Sequence, residues 1–129
     1  MSFCNRIKPS PVNGGFRMAG YWIWCGSAIR GADEFYHLFA SRWPKNVPFF
    51  NGYLFYSEIV HAVSRTPEGP YTFQDVVLRD RGSSFWDGRM THNPTIRKVD
   101  DTYLLFYIGS TFEGDNGIKI SHRCRTMRQ

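Results

Sequence analysis

"IRGADEFYHLFAS" (Ile29–Ser41) and "IRKVDDTYLLFYIGS" (Ile96–Ser110) are two versions of one pattern. The isoleucines Ile29 and Ile96 lie 67 residues apart, and so do Tyr36 and Tyr103. "IVHAVS" (Ile59–Ser64) finds a weaker echo in "GIKIS" (Gly117–Ser121). Two hairpins of similar composition are the alternative, but the shared spacing of Ile, Tyr, Phe and Ser favours a repeat. A repeat of this length, holding four short strands, is the size of a propeller blade or somewhat more. "TYLLFYIG" (Thr102–Gly109) is apolar at odd and even positions alike, as is "YHLFA" (Tyr36–Ala40). Strands read this way when both faces are covered, as in blades stacked face to face.

Working outward, residues 1–20 read as an irregular arm, with "KPSPVNGG" (Lys8–Gly15) rich in turn formers. "YWIWCGSAIRG" (Tyr21–Gly31), "EFYHLFASRW" (Glu34–Trp43), "SEIVHAVS" (Ser57–Ser64) and "TFQDVVL" (Thr72–Leu78) read as four strands. "WPKNVPFFNG" (Trp43–Gly52) reads as a loop, and "RTPEGPY" (Arg65–Tyr71) as a turn with proline and glycine at suitable offsets. No stretch holds a helical period over about ten residues. Short strands with frequent turns predict an all-β fold. The expected organisation is an arm at 1–20, a partial β-propeller at 21–121 (blade one about 21–78, blade two about 86–121), and a basic tail at 122–129. The tail's departure from the repeat suggests a truncated chain.

The length of 129 residues suits one domain, and 42% hydrophobic residues exclude disorder. Aromatic residues reach 17%, and blade-to-blade packing is their first explanation. The formal charge is +5, and Arg123, Arg125 and Arg128 in the tail account for three of those charges. With no basic stripe elsewhere, no nucleic-acid partner is expected. Cys4, Cys25 and Cys124 show no CxxC spacing, so neither zinc nor a disulfide framework is expected. His37 and His61 lie at no metal-ligand spacing, and "FEGDNG" (Phe112–Gly117) lacks the ligand order of a calcium loop. The reading therefore expects no cofactor. "MSFCNRIKPS" has no apolar signal core and no run approaches a membrane span, so no membrane is expected and a cytoplasmic setting is the default.

"GGFRMAGYWIWCGSAIRG", "YHLFASRWPK", "SEIVHAVSRTPEGPYTFQDVVL", "FWDGRMTHNPTIRK" and "YLLFYIGST" together resemble glycoside hydrolase family 43-like proteins. The resemblance covers most of residues 14–121. "SRTPEGPY" and "THNPTI" are its most specific parts. It implies a five-bladed β-propeller, of which this chain holds about two four-stranded blades. The implied activity is hydrolysis of O-glycosidic bonds in arabinose- or xylose-containing glycans. The implied partner is a carbohydrate. A non-catalytic carbohydrate-binding propeller and an inactive fragment are the alternatives.

Glycosidic hydrolysis needs a general acid and a base, about 6.5–9.5 Å apart in inverting enzymes. "WDGRMTHNP" (Trp86–Pro94) places Asp87, His92 and Asn93 at the mouth of the second inner strand. Asp87 is the catalytic candidate, as base or orienting acid, with a plain Asp-Gly turn as the alternative. In a full-length relative, Asp87→Asn should then abolish hydrolysis or sugar binding while leaving the melting temperature nearly unchanged. His92 and Asn93 are candidates to bond sugar hydroxyls, or else to cap the strand. Trp86 joins them as a substrate-binding candidate. Arg17 to Gly31 contains no acid, which departs from the family's blade-one aspartate. Arg17, Trp24 and Ser27 are then expected to form a binding wall, with Trp24 offering a flat apolar face to a sugar. Unclosed blade faces are expected to allow self-association.

Overall fold

A computed structural model describes residues 3–112 and 119–127. After a short 3-10 turn (Phe3–Arg6) and the irregular arm come β1 (Tyr21–Arg30), β2 (Tyr36–Pro44), α1 (Phe49–Phe55), β3 (Glu58–Ser64) and β4 (Thr72–Leu78). These four strands form one antiparallel sheet in sequence order. β5 (Met90–Val99), β6 (Thr102–Thr111) and β7 (Lys119–Met127) form a second, also antiparallel. β5 lies against β1, β2 and β3, so the sheets stack face to face. Phe39 and Ile59 of the first sheet meet Ile96, Leu105 and Tyr107 of the second, with Leu78 closing the cluster. Burial of each such side chain contributes about 1.5–3 kcal/mol.

The repeat is real in topology but shifted in register. Beyond the Gly31–Phe35 hydrogen bond of 2.8 Å, Ala32, Asp33 and Glu34 close the first hairpin. Beyond the Val99–Thr102 pair, only Asp100 and Asp101 close the second. The missing residue slides the inner strands: Ile29 sits opposite His37, whereas Ile96 sits opposite Leu105. A one-residue slip changes the face on which a side chain lies. Ile29 and Ile96 are therefore not equivalent. They enter the same inter-sheet core from opposite sides.

Both inner strands carry a bulge at matching places, between Trp24 and Ser27 and between His92 and Thr95. Each bulge contains a residue in the left-handed region, Cys25 and Asn93, both at φ 50°. Asn adopts this conformation more readily than Cys. Such bulges re-aim the side chains beside them.

Two sequence expectations need correction. The "WPKNVPFFNG" segment is not all loop, because its second half begins α1. A helix of seven residues is too short to display a period, and packing decides it. Gly52 is pressed against the Trp43 ring, and a Cβ there would clash with it. The second correction concerns the C-terminal tail, since β7 runs on to Met127 instead of ending near Ser121. It pairs with β6 from Tyr103–Met127 to Thr111–Lys119. Ladder bonds come from the backbone, so a basic strand satisfies them as well as an apolar one. Most of "FEGDNG" lies outside the described residues.

Candidate functional site

The first half of β1, the end of β2 and α1 together build an aromatic shelf. Trp22 and Trp24 lie opposite Trp43 and Ser41 in the β1–β2 ladder, so all four side chains share a face. Trp43 is buried, with Phe49 at 5.2 Å and Tyr53 at 5.9 Å between ring centroids, both edge-on. Phe49 also meets Trp22 at 5.5 Å and Trp24 at 6.1 Å. Trp24 nevertheless stays 54% exposed and Phe50 74% exposed. The Lys45 ammonium lies 4.6 Å from the Trp22 ring centroid. Large aromatics this exposed, supported by a buried aromatic layer, form a rigid apolar surface beside polar groups.

β5 supplies the polar side of the shelf. His92 packs between Trp43 at 5.5 Å and Tyr53 at 4.4 Å. Its Nδ1 shares a 2.7 Å hydrogen bond with the Ser57 hydroxyl. Burial pushes its pKa down to about 4, so the ring is neutral at physiological pH. The Asn93 backbone N–H donates to Ser41 Oγ at 3.0 Å, and Ser41 is the ladder partner of Trp24. Trp24, His92 and Asn93 thus gather around one corner, with Asn93 exposed and His92 behind it.

The other candidates lie elsewhere. Asp87 is 1% exposed. Its Oδ1 is ion-paired with Arg81, and its Oδ2 accepts a 2.7 Å hydrogen bond from the Tyr107 hydroxyl. It is pressed onto Gly109 of β6, where a Cβ would collide with it. The carboxylate braces the 79–89 linker against the second sheet. Trp86 stacks on Tyr107 at 5.7 Å and belongs to the same brace. Ser27 Oγ accepts the Ile96 N–H at 3.2 Å, a stitch between the sheets. Arg17 is exposed on the arm and donates to the Val12 carbonyl at 3.0 Å. The expected wall of Arg17, Trp24 and Ser27 therefore reduces to Trp24.

Sequence reasoning missed the members that make the shelf. Phe49 and Tyr53 were hidden by the unrecognised helix, and Trp22 had only its alternation with Trp24 as a signal. Glu58 and Arg42 form an ion pair at 2.8 Å. Arg42 is buried, with its guanidinium 4.3 Å from the Tyr21 ring centroid. Among the described residues, no group of three or more His, Cys, Asp or Glu is placed to hold a metal ion.

Antiparallel sheets stacked in this way, one inner strand apiece, are the fold of a β-propeller fragment. A solved structure shares it: CoXyl43, a family 43 β-xylosidase/α-arabinofuranosidase from a compost microbial metagenome, in complex with xylotriose and in its calcium-free form. The TM-score is 0.56 at 15% identity, over 84% of this chain. The matched region spans only 32% of that enzyme chain. No family model and no curated protein matches this chain.

Proposed function

We propose that the chain is the glycan-binding part of a glycoside hydrolase-like propeller, with the shelf as its sugar platform. The observation that carries the reading is Trp24, more than half exposed although it packs beside the buried Trp43. Its ring offers stacking, and the exposed Asn93 amide beside it offers donors and acceptors for hydroxyls. The likeness to an arabinose- and xylose-releasing enzyme crystallised with xylotriose supports xylo- or arabino-oligosaccharide as ligand. On this reading the chain alone binds but does not hydrolyse. Asp87 is already engaged by Arg81 and Tyr107, and a catalytic pair has to be held in geometry by further elements.

The same reading includes self-association. Phe106 alternates with the buried Leu105 and Tyr107, so it lies on the opposite, open face of the second sheet and is 41% exposed. Leu104 and Ile108 share that face.

Titration of the chain with xylotriose, followed by tryptophan fluorescence, tests the proposal. Saturable quenching that disappears in Trp24→Ala supports it. No response in the parent chain, or an unchanged response in Trp24→Ala, overturns it. Turnover of an aryl xyloside or arabinoside would refute the binding-only assignment.

A further inference from the structure

A cavity of about 500 Å³ opens between the sheets at the other end of β1 from the shelf. Ile29 in the cavity wall lies five positions beyond Trp24, on the order of 15 Å along a strand. Ile29, Phe39, Val77, Ile96 and Tyr103 supply apolar walls. Across one side runs a polar row drawn from three strands and a turn. His37 Nε2 lies 3.0 Å from Asp33 Oδ1 and 3.2 Å from Oδ2. His37 Nδ1 lies 2.9 Å from His61 Nε2. His61 Nδ1 lies 3.3 Å from Asp75 Oδ1. The two imidazole planes are 5° apart with centroids separated by 5.1 Å. That separation matches the nitrogen gap plus both ring radii, so the rings meet edge to edge.

Counting protons decides what this row offers a ligand. Ionised carboxylates only accept, so the outward nitrogens, His37 Nε2 and His61 Nδ1, must each carry hydrogen. The gap between the rings is closed nitrogen to nitrogen, so all four ring nitrogens are engaged within the row. Hydrogen bonding to His37, the largest influence, holds the Asp33 carboxyl below its ordinary range. Burial lowers the His61 pKa against the upward pull of Asp75. What remains free is acceptor capacity on the carboxylates, whose side chains are 55% and 64% exposed for Asp33 and Asp75.

We propose that this cavity is a second ligand site, which takes a primary ammonium group carried on an apolar body. The apolar walls receive the body, and the Asp75 carboxylate at the β4 end of the row receives the ammonium. Anions meet only acceptors there. The charged and titratable groups around it are Asp33 on the turn, His37 on β2, His61 on β3, Asp75 on β4, Lys98 on β5 and Tyr103 on β6. The Lys98 ammonium stands 5.5 Å from the ring centroid of the wall residue Tyr103. Each wall residue comes from the described chain itself, so the site does not depend on the sugar reading of the shelf.

The test uses the 129-residue chain at pH 7 and reads the imidazole nitrogen resonances by NMR. The probes are phenethylammonium chloride, 2-phenylethanol and sodium phenylacetate. The ammonium should shift the His37 and His61 resonances saturably, with the alcohol at least about fivefold weaker and the carboxylate inert. Asp75→Asn, at an exposed position that leaves the core intact, should weaken the ammonium by about fivefold or more at an unchanged melting temperature. Lys98→Gln should strengthen it. No saturable shift up to about 20 mM ammonium would overturn the proposal. So would phenylacetate binding as tightly as the ammonium, or an Asp75→Asn chain that binds as the parent does. The shelf experiment reads tryptophan fluorescence with a different ligand, so the two readings fail separately.

Discussion

The segment "WDGRMTHNPTI" (Trp86–Ile96) holds two regions that look alike in sequence and behave oppositely in the fold. Its first part, Trp86 and Asp87, is locked onto Tyr107 and Gly109 of β6. Its later part, His92 and Asn93, turns through a bulge toward the aromatic shelf. The charged residue Asp87 is inside, at 1% exposure, and Trp24 of the shelf is outside, at 54%. Polarity tells which groups need partners. It does not tell whether water, a sugar or the protein supplies them.

The sharpest way to break this contrast is Asp87→Ala. The change leaves the Tyr107 hydroxyl unpaired and strips Arg81 of its anion, and Arg81 is about one-third exposed. Breaking a buried pair costs about 3–5 kcal/mol, and the exposure of Arg81 places this one near ~3 kcal/mol. Urea unfolding should show a loss of that size. A loss under about 1 kcal/mol would return Asp87 to the role of a site residue in a simple turn. This reverses the expectation that Asp87→Asn leaves the melting temperature nearly unchanged.

A second test bears on the shelf end. The folded His92 pKa of about 4 lies below the ordinary value of 6.5. Between those values the unfolded chain binds more protons than the folded one. Stability is therefore full above about pH 6.5 and falls as the pH drops toward 4, by ~3 kcal/mol at pH 4. His92→Gln should flatten that part of the pH profile. A parent chain whose stability is level from pH 7 to 4.5 would show that His92 is not held as tightly as its packing on Trp43 and Tyr53 implies.

Trp24→Ala should cost less, about 1 kcal/mol or below, because more than half of the ring already meets solvent. Its effect belongs to sugar binding, which makes it the counterpart of Asp87: small in stability and large in ligand affinity. Arg17→Ala should stay within about 0.5 kcal/mol and leave xylotriose quenching unchanged, since its observed side-chain bond is to the arm's own Val12. A loss of quenching there would restore the arm to the site.

The sequence by itself determined the all-β class, most strand positions and the pairing of two similar sheets. Alternation, turn residues and the spacing between Tyr36 and Tyr103 are local properties, and β4 was legible to the residue. It also singled out Trp24, His92 and Asn93. Tertiary structure alone decided the rest. α1 exists because Gly52 lets it seat on Trp43. The one-residue difference between the hairpins set Ile29 and Ile96 at different registers, so that they enter the core from opposite sides. The Asp33–His37–His61–Asp75 row joins residues whose separations in sequence follow no motif, because the β2–β3–β4 ladder brings them together. Whether a side chain is a brace or a binding surface depends on which distant strand arrives beside it, and that distance in sequence leaves no local pattern to read.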